Sequence, residues 1–312
     1  MTDACYARSA VPDTPHIVLR RGTLDDSRRC HAVLIEAVVD LTTRQGARWE
    51  ANADEMWPRF EPIYQLLAEH AAEWWLAEDK DTGELVGYAR SMERGGLFEL
   101  SELFVRPGRQ SAGVGRQLLE RAFPLDRGDV RVIIATTDVR ALARYYGAGT
   151  VARFPIVTLS RAPRADAGDV NELEAVRATL QDLPALAALE RAVIEFDRGE
   201  AELTWLVEQR EGYLYHRGGE TVGFGFVGLS GVGPLAALDP ADQPAILAHI
   251  EERAADMGRE EIGFEVPMVN GIAMRHLLGQ GYRMDTLLTL LLSSRPFGQF
   301  DRFIGFGPPL VL

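Results

Sequence analysis

Between residues 105 and 116 the chain reads Val105-Arg106-Pro107-Gly108-Arg109-Gln110-Ser111-Ala112-Gly113-Val114-Gly115-Arg116. The stretch before it, Leu97 to Val105, has the make-up of a β-strand, and Pro107 ends it because proline cannot donate to a sheet ladder. The stretch after it, Ser111 to Ala122, has helical spacing, so Gly113 and Gly115 fall in the first turn of a helix. Glycines there let backbone N–H groups come close to a ligand. Those free amides and the helix dipole favour the same charge, which makes the turn an anion site able to take a pyrophosphate without a lysine. The chain holds a single lysine, Lys80, in the solvated turn Glu78-Asp79-Lys80-Asp81-Thr82-Gly83, so lysine chemistry has no good candidate.

What the loop lacks sets aside two common phosphate-binding motifs. A phosphate loop of the Walker type closes on Gly-Lys-Ser/Thr, whereas here the order is Gly115-Arg116-Gln117. A dinucleotide fingerprint needs a third small residue, where Leu118 stands, and belongs after the first strand of a domain. The pattern that remains is Val105-x-Pro107-x-x-Gln110-x-x-Gly113-x-Gly115, directly after a strand. It resembles the first signature of the GNAT superfamily of acyl-CoA-dependent N-acetyltransferases, Gln/Arg-x-x-Gly-x-Gly/Ala. The second signature, Asn-x-x-Ala-x-x-x-Tyr-x-x-x-Gly-Phe, is matched by Asp138, Ala141, Tyr145 and Gly149, with Asp138 for Asn and Thr150 for Phe.

The resemblance implies acetyl-CoA as co-substrate. Its pantetheine arm would pair with the backbone of Leu103, Phe104 and Val105, where a backbone N–H can also stabilise an oxyanion. Gln110, Ser111, Ala112, Gly113, Val114, Gly115 and Arg116 would hold the pyrophosphate, and Asp138 would open the second motif. Arg116 reads equally well as a helix-surface arginine. Transfer to an amine needs the amine neutral and then a proton for the departing thiolate. Tyr145 is the candidate acid: a phenol near pKa 10 donates slightly uphill to a thiolate near 8.5. It also reads as a core aromatic, a role open to its neighbour Tyr146. For the base, Glu99 and Glu102 lie on the strand before the loop, and a spacing of three predicts opposite faces. Glu99 is preferred, standing where family members with a glutamate base often carry it; Glu102, water, or Asp54 and Glu55 are the alternatives.

The elements that would position these residues occur twice. Thr23-Leu24-Asp25-Asp26 before an apolar helix is echoed by Thr179-Leu180-Gln181-Asp182 before Leu183 to Ile194. Gly83-Glu84-Leu85-Val86-Gly87-Tyr88 is echoed by Gly219-Glu220-Thr221-Val222-Gly223-Phe224, and Asp138 to Gly149 by Asn270 to Gly281. The order is the same each time, so the chain holds two copies of one fold. The fold class is α/β, a twisted mixed sheet flanked by helices in each copy. The expected division is residues 1–162, cofactor-binding and catalytic, and 163–312, joined near Arg161 to Asp169. The second copy carries Leu277 in place of the tyrosine. Its loop, Leu238-Asp239-Pro240-Ala241-Asp242-Gln243-Pro244, has carboxylates and no glycine, so its cofactor site is expected to be lost. The first copy is longer around Arg44 to Gln65, where Trp49, Trp57, Phe60 and Tyr64 either wall a pocket or pack a helix that Pro58 and Pro62 should break.

Composition bounds the rest. The 312 residues suit two domains, with 46% hydrophobic and 25% charged residues. Lys+Arg 33 against Asp+Glu 46 gives a net charge of -13, which argues against nucleic acid as a partner and is compatible with a cationic amine. No apolar run is long enough for a membrane span. Asp3, Pro12, Asp13 and Pro15 near the start leave no signal peptide, and the two cysteines, Cys5 and Cys30, show no ligand spacing. The histidines form no cluster, so no metal is expected. The expectation is a cytoplasmic bacterial N-acetyltransferase acting on a small-molecule amine in a ternary complex. A non-catalytic acyl-CoA sensor or assembly module is the alternative. The apolar stretch Phe303 to Leu312 is expected to dock on the body or on a second chain, leaving a homodimer open.

Overall fold

The computed structural model describes residues 17–46, 50–110, 113–166 and 173–307. The first copy runs β1 (Ile17–Arg21), α1 (Ser27–Arg44), α2 (Ala53–His70), β2 (Glu73–Asp79), β3 (Leu85–Arg94), β4 (Leu97–Val105), α3 (Val114–Ala122), β5 (Val130–Thr136), α4 (Val139–Gly147) and β6 (Val151–Arg161). The second repeats the order as β7 (Glu174–Arg177), α5 (Leu183–Ile194), α6 (Gly199–Gln209), β8 (Glu211–Arg217), β9 (Glu220–Gly228), β10 (Gly231–Ala237), α7 (Gln243–Asp256), β11 (Ile262–Pro267), α8 (Gly271–Gly279) and β12 (Arg283–Ser293), followed by a short β13 (Phe303–Ile304). The matched sequence motifs do matched work. Thr23 and Thr179 form capping boxes with Asp26 and Asp182. Asp138 and Asn270 cap α4 and α8, and Gly149 and Gly281 leave those helices at φ 77° and 85°, where only glycine sits without strain.

The copies are joined through their sheets. One sheet has eight strands in the order β1-β2-β3-β4-β5-β12-β6-β11, and the other has five, β13-β10-β9-β8-β7. The closing strand of each copy pairs with the other copy: β12 lies antiparallel to β5, with Leu291 opposite Ile134. Reciprocally, β6 lies antiparallel to β11, with Leu159 opposite Phe264. The core is correspondingly continuous. Tyr64, Leu67 and Tyr88 of the first copy share one cluster with Leu186, Leu203 and Phe303 of the second. A buried arginine ties the copies as well: Arg94 donates to Glu99 at 2.7 Å and to Glu202 of α6 at 2.5 Å.

Two sequence expectations are corrected. Helix α2 passes through Pro58 and Pro62 without a break. Its face of Phe60, Ile63, Tyr64, Leu66 and Leu67 is buried on the sheet, and that burial at about 1.5–3 kcal/mol per large side chain exceeds about 3 kcal/mol per proline. Glu99 and Glu102 do not project from opposite faces. The β3–β4 register shifts by one: Arg90 faces Glu102 and Ser91 faces Leu100, which leaves Ser101 as the extra residue of a β-bulge. The bulge resets the alternation, so Glu99, opposite Met92, and Glu102, opposite Arg90, share the face covered by α1 and α2.

Candidate active site

Strands β4 and β5 pair in parallel only from Leu97 opposite Val130 to Leu100 opposite Ile133. Beyond the bulge they part, and the edge of Ser101 to Val105 that faces β5 is left without a partner strand. Into this gap opens a cleft whose walls include Leu103, Phe104, Val105, Gln110, Gly115, Asp138 and Tyr145, with Val38, Leu41 and Arg44 of α1 closing one side. Residues from the strand, the loop and the second motif thus come to one place, as their types suggested.

The loop is shaped for close approach. Gly113 precedes α3 at φ 83° and has no side chain with which to cap it. The amides of Arg116 and Gln117 return to the Gly113 carbonyl at 3.2 Å each. The amides of Val114 and Gly115 have no hydrogen-bond partner among the described residues, which is what an anion site at a helix start offers. A Cβ on Gly115 would meet only the Val105 Cγ2 at 3.6 Å, so the space beyond it is cleft. Gln110 acts as a brace: its amide donates to the Val105 carbonyl at 3.1 Å and its carbonyl accepts from Arg140 at 2.8 Å. The side chain of Val114 is buried in the core. Arg116 is exposed beside Glu120 and is not part of the cleft wall. Ser111 and Ala112 lie outside the described residues.

Tyr145 is 6% exposed and its ring packs with Leu118 and Ala135, yet it lines the cleft. Its hydroxyl has no hydrogen-bond partner among the described residues; its backbone carbonyl accepts from the Thr150 hydroxyl at 2.8 Å and from the Ala148 and Thr150 amides at 3.1 and 3.2 Å. Thr150 therefore fastens the end of α4. Burial pushes the Tyr145 phenol above its ordinary range, so it holds its proton at neutral pH.

The two glutamates are placed differently. Glu99 is buried against Arg94 in the bridge to the second copy. Glu102 accepts from the Tyr64 hydroxyl at 2.8 Å and the Tyr88 hydroxyl at 2.6 Å, with Arg90 at 3.3 Å. Arg90 is fully buried between the Trp74 and Tyr64 rings. Neither carboxylate is part of the cleft wall. Asp54 pairs with Arg28 at 2.8 Å on the surface.

Sequence reasoning missed a basic wall. Arg44, Arg140 and Arg144 all line the cleft. Hydrogen bonds from Arg140, then burial against it and further help from Arg44, leave Asp138 with its pKa lowered to about 2, a fixed anion between two guanidiniums. Arg140 and Arg144 stood inside the second motif, but Arg44 comes from the far end of α1, and only the fold brings it here.

In the second copy the corresponding gap is filled. Strand β13 pairs with β10, Ile304 opposite Leu235 and Phe303 opposite Ala236, and the Gly305 amide donates to the Glu265 carbonyl on β11 at 3.2 Å. The chain itself bonds to both strands where a ligand would have to enter. Asn270 donates to Gln243 at 2.7 Å, a buried bond across the loop that would have to open. Leu277 is buried among Phe264 and Tyr282.

Comparison with known proteins agrees with this geometry. Residues 70–148 match the Acetyltransferase (GNAT) domain family. A putative acetyltransferase from Pyrococcus horikoshii superposes with a TM-score of 0.70 over 92% of each chain at 18% identity. A GCN5-related N-acetyltransferase from Sphaerobacter thermophilus gives 0.61 at 18% identity, over 92% of this chain and 98% of that one. A tandem GNAT protein from the clavulanic acid biosynthesis pathway gives 0.53 at 14% identity, over 90% and 99%. At such identities these structures establish the fold. No curated protein matches the sequence.

Proposed function

We propose that this chain, a tandem GNAT-fold protein with a GNAT acetyltransferase domain at residues 70–148, is an acetyl-CoA-dependent N-acetyltransferase for a small-molecule amine. Acyl transfer in general rests on the domain match; the acetyl donor, the amine and a ternary complex are our reading. The observation that carries it is one cleft joining a free strand edge with two helix-start amides and a tyrosine hydroxyl that have no hydrogen-bond partner among the described residues. The residues present fit coenzyme A. The Ser101–Val105 edge offers backbone groups to an amide-bearing arm, and the Val114 and Gly115 amides with Arg44, Arg140 and Arg144 suit phosphates. When bound, acetyl-CoA supplies an activated thioester. The Tyr145 Oη–H is the proposed proton source for the leaving sulfur, a donation that burial of the phenol makes more uphill than for a free tyrosine.

In this reading function divides at residues 162 and 163, the first part carrying the site and the second supporting it through β12, which pairs with β5. We place no base on Glu99, whose carboxylate is held by Arg94. Glu102 would act only through Tyr64 or Tyr88, its bonded neighbours. This engagement of both carboxylates is the one observation that favours a second reading, a non-catalytic acyl-CoA-binding module.

The test measures acetyl-CoA binding and, separately, thiol release with a panel of amines. Binding with turnover supports the transferase; binding without turnover on any amine supports the module. Gly113→Glu should abolish binding, while Gly113→Gln, with the same backbone cost of about 1–2 kcal/mol but no charge, should keep part of it. Equal binding by both variants would remove the loop from the site.

A further inference from the structure

A second cavity of about 450 Å³ lies between the copies and shares no lining residue with the cleft described above. Helix α2 forms one wall with Arg59 and Phe60, α6 and the residue after it the other with Trp205 and Arg210, and Leu229 and Phe306 complete the rim. The size is within the range of small-molecule sites, and the lining is largely apolar and aromatic, as such sites are.

Its charge is unusual for so acidic a chain. Arg210 is 3% exposed and donates to the carbonyls of Gly233 and Gly307, with its guanidinium 3.9 Å from the centre of the Phe306 ring. Its Nε is buried with no hydrogen-bond partner among the described residues. Burial first, then the neighbouring charges of Arg198, Arg259 and Arg59, bring its pKa down to about 9. Arg59 donates twice to the Ser230 carbonyl, at 3.0 and 2.8 Å, and Arg259 donates to the carbonyls of Gly228, Leu229 and Glu261. Among the described residues, Arg59, Arg210 and Arg259 have carbonyl partners and no carboxylate ion pair. Glu190 pairs with Arg198 at 2.6 Å, and among the described residues Glu261 is the one acid that bears on Arg259. A buried arginine with no counter-ion is costly, and the cavity beside it is where a counter-ion can be supplied from outside.

We propose that this cavity is a binding site for a small organic anion: one carboxylate or sulfonate directed to Arg59 and Arg210, with an aromatic or aliphatic body against Phe60, Trp205 and Phe306. The proposal is independent of the acetyl-transfer reading, because none of these residues lines the cofactor cleft. Arg59 is the residue to change, since it is exposed and its loss leaves Arg210 in place to hold the Gly233 and Gly307 carbonyls.

The probe is 8-anilinonaphthalene-1-sulfonate, with uncharged N-phenyl-1-naphthylamine as its comparator, titrated by fluorescence with and without coenzyme A. We expect saturable one-to-one sulfonate binding that coenzyme A leaves unchanged. Arg59→Gln should weaken it about tenfold and Arg59→Lys by less than about threefold, with the uncharged probe indifferent to both. No saturable binding, displacement by coenzyme A, or equal affinity in wild type and Arg59→Gln would overturn the site. Binding that appears only after residues 308–312 are deleted would assign the cavity to that segment and overturn it too.

Discussion

Tyr145 combines two properties that rarely coincide: its ring is buried in the core and its hydroxyl, at the edge of a cleft, has no hydrogen-bond partner among the described residues. A structural tyrosine at such a site would bond its hydroxyl, whereas a proton donor must keep it available. Tyr145→Phe removes no hydrogen bond that the described residues make, so its thermal midpoint should match wild type within about 1 kcal/mol. Turnover should fall by about 10²–10⁴-fold while coenzyme A affinity holds. Undiminished thiol release by Tyr145→Phe would take the residue out of the reaction. Glu265 makes a different residue-scale prediction. Burial, opposed by a hydrogen bond from Thr158 and aided by Asp285, raises its pKa to about 7. An unfolded glutamate titrates near 4.3. The folded state therefore holds the proton more tightly, and Glu265 subtracts stability as pH rises from about 4.3 to about 7. Glu265→Gln should raise the melting temperature by a few degrees at pH 8 and hardly at all at pH 4.5, as calorimetry can check. A gain of the same size at both pH values would refute this account.

At the scale of elements, the bulge at Ser101 and the parting of β4 from β5 create the site together. The bulge bends β4 away from its parallel partner, and the freed edge becomes the wall of the cleft. The same bulge brings Glu102 onto the face of Glu99, which pairs with Arg94 beside the second copy's Glu202. That bridge is buried, so removing its centre takes the shared guanidinium from two buried carboxylates. Arg94→Met should cost about 3–5 kcal/mol, seen as a lower denaturation midpoint, and adding Glu99→Gln and Glu202→Gln should restore much of it. A midpoint unchanged in Arg94→Met would show that the bridge contributes nothing.

At the scale of the whole molecule, the exchange of β6 and β12 makes each copy depend on the other. Strand β5 needs β12 to cover its edge, and β11 needs β6. An uncovered inner strand leaves a row of unpaired backbone groups and half a core exposed. Residues 1–162 alone and 163–312 alone should therefore lack a cooperative unfolding transition, while the two fragments produced together should associate and regain one. A stable, monomeric 1–162 fragment with a sharp thermal transition would contradict this.

The local elements were legible because local forces set them. Leu97–Val105 and Leu183–Ile194 are found within the bounds their residue patterns suggest, and the Asp138 and Asn270 caps are where the motif places them. The glycine loop was legible for the same reason: an amide exposed at a helix start is a property of a few consecutive residues. The repeat followed from the order of such local signals. Three things waited for the tertiary structure. The register shift that set the faces of Glu99 and Glu102 is a contest between two strands, invisible in either alone. Arg44 joined Arg140 and Arg144 only when α1 packed beside β4. The exchange of closing strands pairs residues more than a hundred positions apart, such as Phe264 with Leu159. Such pairings are decided by which edge buries more apolar surface and satisfies more backbone groups, a comparison that exists only in the assembled fold.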